Sequence, residues 1–121
     1  MESPTTASNK HVARQLFETF FNQGQQALVD ELVTIDFVDH SPHSQQAPGA
    51  AGLKWLNGML HEICPDLRFA IDEIIGEGDT VAVRYTVSGT MDDGNPLEEQ
   101  AIALFRFRQG LISERWAGLM R

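Results

Sequence analysis

The chain reads as an α+β domain, with three helices leading into a curved antiparallel sheet that they cover on one face. Three observations predict this. Apolar residues recur at helical spacing as far as Ile63. Beyond Pro65 the pattern changes to strict alternation, as in Val81, Val83, Tyr85 and Val87. Turn residues then punctuate the alternating runs, at Glu77-Gly78-Asp79 and at Gln109-Gly110.

Each element has its own justification. Ser8 or Asn9 can cap a first helix whose buried stripe is Val12, Leu16, Phe17, Phe20 and Phe21. Asn22-Gln23-Gly24 ends it, and a short second helix from about Gln25 to Val33 turns Leu28, Val29, Leu32 and Val33 inward. Ile35 to His40 is too short for a helix and reads as a strand or single turn before the Ser- and Pro-rich loop Ser41–Pro48. The third helix runs from near Gly49 to Ile63, where Pro65 stops it. Leu67, Phe69 and Ile71 open the sheet, and at least four strands form a meander joined last at Gln109-Gly110. The strand Ala101–Arg108 is apolar on both sides: Ala103, Phe105 and Phe107 on one, Ile102 and Leu104 on the other. Both sides therefore need cover. Helices cover one, and a homodimer through the sheet face would cover the other.

At 121 residues the chain suits one domain, taken here as residues 9–121 behind a polar, disordered tail of residues 1–8. A domain this size buries roughly two-thirds of its unfolded surface, enough for one core without staples. A net charge of −8, from 17 acidic and 9 basic residues, argues against a nucleic-acid partner, which needs clustered basic surface. No run approaches the ~20 apolar residues of a membrane span, so no membrane partner is expected. A lone cysteine, Cys64, excludes an internal disulfide and suits the reducing cytoplasm; it reads as a buried structural thiol.

Several segments together are familiar: Phe17-Glu18-Thr19-Phe20-Phe21-Asn22-Gln23-Gly24, Asp36-Phe37-Val38-Asp39-His40-Ser41-Pro42, Pro65-Asp66-Leu67-Arg68-Phe69, Gly78 to Arg84, Ser88-Gly89-Thr90, Phe105-Arg106-Phe107 and Gly110 to Trp116. In this order and spacing, from about Asn9 onward, the chain resembles the SnoaL-like polyketide cyclase family. The resemblance implies the cone-shaped barrel shared with nuclear transport factor 2, ketosteroid isomerase and limonene epoxide hydrolase. It further implies a deep apolar pocket, a small apolar ligand, and an aldol ring closure run by a pocket aspartate with no metal and no cofactor. This chain departs from the pattern twice. Met120 stands where the family's acid is usual, four residues after Trp116, and Met91 stands where a His often follows Gly89-Thr90. A thioether cannot transfer a proton at neutral pH.

Two catalytic candidates remain. His40 has the imidazole suited to proton transfer, or it braces the loop through hydrogen bonds. Asp39 beside it either holds its tautomer or, as alternation suggests, points to solvent. Glu114 shares a face with Ile112 and Trp116; if internal it is a substitute general base, and otherwise it pairs with an arginine such as Arg106. Asp66 shapes the helix-to-strand turn after Pro65. Phe17, Phe37, Trp55, Tyr85, Met91, Phe105, Trp116 and Met120 are the candidate ligand-binding side chains, several of them doubling as core. His11, His43 and His61 lack metal-ligand spacing, and Pro42 spoils a helical His40–His43 pair. A cyclase, isomerase or hydrolase and a non-catalytic carrier of small molecules are both open at this point.

Overall fold

The computed structural model describes residues 2–120, so Met1 of the expected tail and the final Arg121 lie outside it. Helix α1 spans Pro4–Gln15, and a π-helical turn continues it through Leu16–Phe21. It starts earlier than the expected cap at Ser8 or Asn9, which makes residues 4–8 helical rather than a disordered tail. The reason is Ser3-Pro4. The Ser3 hydroxyl accepts the Thr6 N–H at 3.1 Å, and proline suits the first helical position. In the π turn Asn22 N–H bonds back five residues to the Phe17 carbonyl. The widened turn buries Leu16, Phe17, Phe20 and Phe21 together. Asn22 then grips the sheet: its amide donates to the Phe69 carbonyl and accepts the Phe69 N–H, both at 2.8 Å.

The expected second helix is shorter than Gln25 to Val33. A 3-10 turn, Gln26–Leu28, leads into one helical turn, α2 Val29–Leu32, and Val33 already opens strand β1, Val33–Asp39. Helix α3, Gly49–Ile63, matches its expected bounds. The sheet follows as β2 Arg68–Glu77, β3 Thr80–Thr90, β4 Pro96–Arg108 and β5 Leu111–Leu119, in spatial order β1-β5-β4-β3-β2. Four strands form the expected antiparallel meander. β1 adds a fifth, parallel to β5, so the sheet is mixed rather than purely antiparallel. At Gln109-Gly110 both residues have positive φ, 53° and 81°, the signature of a tight primed hairpin turn.

The inner face of the sheet carries Val81, Val83, Tyr85, Ala101, Ala103, Phe105 and Phe107 against the helices, with Leu16, Phe20 and Leu53 fully buried. Two irregularities decide what else points inward. Arg106 pairs with Glu114 but Phe107 pairs with Ile112, so Ser113 is an inserted bulge residue. Ile112 and Ser113 are both buried, and the alternation of β5 reverses beyond them. In β1 the register breaks between Val33 and Val38. Ile35 is left outside, while Phe37 and Asp39 turn inward. Among the described residues, no helix is long and apolar enough to cross a membrane.

Candidate functional site

A cavity of about 480 Å³ lies between α3 and the inner face of the sheet, within the usual size range of small-molecule sites. Leu56 and Leu60 of α3, Leu67, Phe69, Val87, Leu97, Ala101, Ala117 and Leu119 make its wall apolar. Polar groups enter at three places. Tyr85 and Arg115 sit on the inner face, Glu99 lies on the same face nearer the end of β4, and His43 comes from the loop. Among the described residues lining the cavity, Glu99 is the acid.

The register orders these groups. Along β4 the inward positions run Glu99, Ala101, Ala103, Phe105. Tyr85 is directly across from Ala101, and Arg115 across from Phe105. Glu99 is thus a diagonal neighbour of Tyr85, a separation of about 7–8 Å between backbones. Arg115 is on β5, across β4 from Tyr85 and further along the strand direction from Glu99, and its side chain hydrogen-bonds the Tyr85 hydroxyl.

Arg115 is held by a buried ion pair. Asp39 is its partner in the parallel register, and Arg115 Nη1 donates to Asp39 Oδ2 at 2.8 Å. Gln46 Nε2 donates to the same oxygen at 2.9 Å, and Ser41 N–H to Oδ1 at 3.0 Å. Asp39 therefore ties the loop 41–48 to the sheet and is saturated with donors, a poor arrangement for a base. It is not solvent-directed, contrary to the alternation-based expectation; the irregular β1 register turns it in. Burial pushes the Tyr85 phenol above its ordinary 10.0, with the nearby Arg115 charge pulling back partway. Tyr85 is thus a proton-bearing donor at neutral pH. In the window between 10.0 and the raised value the unfolded chain releases a proton that the folded chain keeps, so this group makes stability fall as pH rises there. His43 Nδ1 accepts the Gln45 N–H at 3.1 Å, which leaves Nε2 as the protonated, donating nitrogen.

The two predicted catalytic residues are together, but elsewhere. His40 Nε2 meets Glu114 Oε1 at 3.0 Å, and the His40 ring stacks on Trp116 with centroids 4.5 Å apart. All three stand on the outer face, Glu114 and Trp116 as a consequence of the Ser113 bulge, and none lines the cavity. Of the eight predicted ligand-binding side chains, Tyr85 lines it. Phe17 and Phe105 are core behind it, Phe17 packing on Tyr85 at 4.7 Å. Phe37 lines a separate recess of about 190 Å³ under the loop. Trp55 packs at 5.2 Å against His43. Met91 and Met120 are exposed rather than pointing into a pocket. Asp66 is structural: it accepts from the Thr90 N–H and hydroxyl and from the Cys64 thiol, which together hold its carboxyl below the usual range. Cys64 is buried, and burial pushes its thiol up. Among the described residues no three His, Cys, Asp or Glu side chains gather as a metal site.

Sequence reasoning missed Glu99 and Arg115. Glu99 was within reach, because the inward set Ala103, Phe105, Phe107 extends back in steps of two to Ala101 and Glu99. Arg115 gave no such signal, because the bulge conceals its parity.

The comparisons agree with this architecture. A family model described as SnoaL-like polyketide cyclase matches residues 11–119. A proposed polyketide cyclase from Bacillus cereus superimposes with a TM-score of 0.86 and 27% identity, over 93% of this chain and 74% of that one. Wild-type IdmH from Streptomyces antibioticus, also a proposed polyketide cyclase, does so with a TM-score of 0.80 and 26% identity, over 92% and 91%. A proposed SnoaL-like cyclase from Jannaschia sp. shares the fold, with a TM-score of 0.87 at 24% identity over 98% and 90%. There is no match among curated proteins. With its helices seated on a five-stranded mixed sheet and a family match over nearly its whole length, the chain belongs to the SnoaL-like polyketide cyclase family.

Proposed function

We propose that the cavity binds a small apolar, carbonyl-bearing molecule and catalyses cofactor-independent proton transfer leading to ring closure or isomerisation. The observation that carries this reading is the composition of the cavity wall. It is apolar almost throughout, with one carboxylate, Glu99, set diagonally from a protonated phenol, Tyr85. Glu99 takes a proton from the carbon next to a carbonyl, and Tyr85 donates a hydrogen bond to the oxygen on which charge develops. Ring closure follows when that carbon adds to a second carbonyl within the same molecule, whose oxygen takes up the proton. Nothing is oxidised or reduced.

The test is deuterium exchange into a cyclic 1,3-diketone in D2O, followed by NMR. The intact protein is expected to accelerate exchange, and Glu99→Gln to slow it at least about 100-fold, the lower bound for losing a positioned base. Equal rates for the two proteins would remove Glu99 from this role. A protein that binds the diketone but exchanges no faster than buffer would favour the other reading, a carrier. The largely apolar wall, with Leu56, Leu60, Leu67, Leu97 and Leu119, is what supports that alternative.

A second copy of the chain is proposed to cover the outer sheet face. Ile102 and Leu104 are exposed there beside Trp116, in a groove of about 340 Å³. The surrounding charges have both signs, Arg84 and Arg106 against Asp72, Glu73 and Glu114, which suits a self-complementary contact. Light scattering is expected to give a dimer at micromolar concentration and a folded monomer for Leu104→Glu. A monomer in both cases would exclude this contact.

A further inference from the structure

Resting on both readings above, the cavity as a ligand site and the outer face as the seat of a second copy, and deepening them, we infer that the two are one connected site. The second copy walls one side of the ligand, so ligand and partner bind cooperatively.

The connection lies along the end of β5. Ser41, Ala117 and Gly118 line the inner cavity and also the outer groove. Elsewhere hydrogen-bonded strands separate the two sides of the sheet. Here the pairing stops early. β1 ends at Asp39, whose partner on β5 is Arg115, and the His40 N–H to the Arg115 carbonyl closes that ladder. β5 runs on to Leu119. Over this stretch, among the described residues, a side-chain bond from the Ala117 N–H to Ser41 Oγ at 3.0 Å stands in for a neighbouring strand. Residue 118 adds nothing to the wall. Gly118 is exposed opposite Ile102, and a Cβ there would meet no atom within 4 Å. The free edge of β5 is therefore an open seam between hollow and groove.

What covers the seam decides how dry the cavity is. The groove floor is apolar, with Ala82, Ile102, Leu104 and Trp116, and Arg106 and Glu114 beside it offer both signs of charge. A like copy fits such a surface, because a two-fold contact repeats the same residues on both sides. In the single chain the seam admits water to one side of a ligand. A copy seated in the groove closes it and removes apolar surface of ligand and protein from water together. That shared burial is a coupling free energy, and it acts in both directions.

The test follows binding of the uncharged dye N-phenyl-1-naphthylamine by fluorescence and pairing by sedimentation velocity. As the protein is diluted from dimer to monomer, the dye Kd is expected to rise at least about fivefold, and saturating dye to tighten the dimer by at least the same factor. Leu104→Glu and Ile102→Lys, both on the groove side, are expected to be monomers with the weaker affinity at every concentration; the dye they still bind shows that they are folded. A dye affinity that dilution leaves unchanged, or that is equal in the dimer and the two variants, would overturn the inference while both earlier readings stand. Weaker binding by the dimer would put the dye in the groove and overturn it equally. A protein that stays monomeric, or that binds no dye, would overturn it together with the reading concerned.

Discussion

An Asp39→Ala variant is expected to lose about 3–5 kcal/mol of stability, the cost of leaving one member of a buried ion pair without its partner. The side chains of Asp39 and Arg115 are only 4% and 11% exposed. Removing the carboxylate strands a guanidinium inside the domain and also releases Gln46 and the Ser41 N–H from their acceptor. Chemical denaturation measures the loss. The pair as a whole is worth less than this figure suggests, because an apolar replacement of both partners avoids the desolvation of two charges. Asp39→Ala combined with Arg115→Met is therefore expected to recover most of the loss. A single variant within 1 kcal/mol of the parent (about a fivefold change in the folding equilibrium) would mean that water reaches this pair and shields it.

The second large effect is a contrast of sign within one helix. Glycine to alanine inside a helix ordinarily stabilises by about 1 kcal/mol. Gly58 of α3 is exposed, and a Cβ there would meet only Gln26 Nε2 at 4.0 Å, so Gly58→Ala should follow that rule. Gly52 of the same helix is buried against the loop, where a Cβ would run into the Ala47 carbonyl. Backbone cannot swing aside as a side chain can. Gly52→Ala is expected to cost about 1–3 kcal/mol, in the range of overpacked sites, and to displace the segment that carries Gln46. Thermal unfolding of the two variants in parallel reads the signs. A Gly52→Ala protein more stable than the parent would show that the loop does not lie this close.

What could be read from the residues alone depended on whether a local rule survived contact with the rest of the fold. α3 was legible because its apolar periodicity, its start after Pro48 and its stop before Pro65 agree with one another. Strand β3 was legible because its alternation is unbroken. The start of α1 was misplaced, although Ser3-Pro4 is a sound initiation signal that the polar composition of the segment obscured. The candidate site failed at two bulges. Parity counted from Ile112 puts Glu114 and Trp116 inside, and the inserted Ser113 puts Arg115 and Ala117 there instead. The same kind of irregularity hid Asp39 in β1. Periodicity along a strand contains no record of where pairing slips, since a slip is decided by the neighbouring strand and by the turn that joins them. His40 and Glu114, two separate candidates in the sequence, meet on the outer side of the sheet.

Ser113 has an evolutionary corollary. Loss of this one codon would restore regular pairing along the last strand without exchanging hollow and exterior: Glu114 would still stand opposite Arg106 outside, and Arg115 would still stand opposite Phe105 within, beside Asp39. Relatives one residue shorter here can therefore keep the same interior, and in them plain alternation along the strand names the inward side chains correctly.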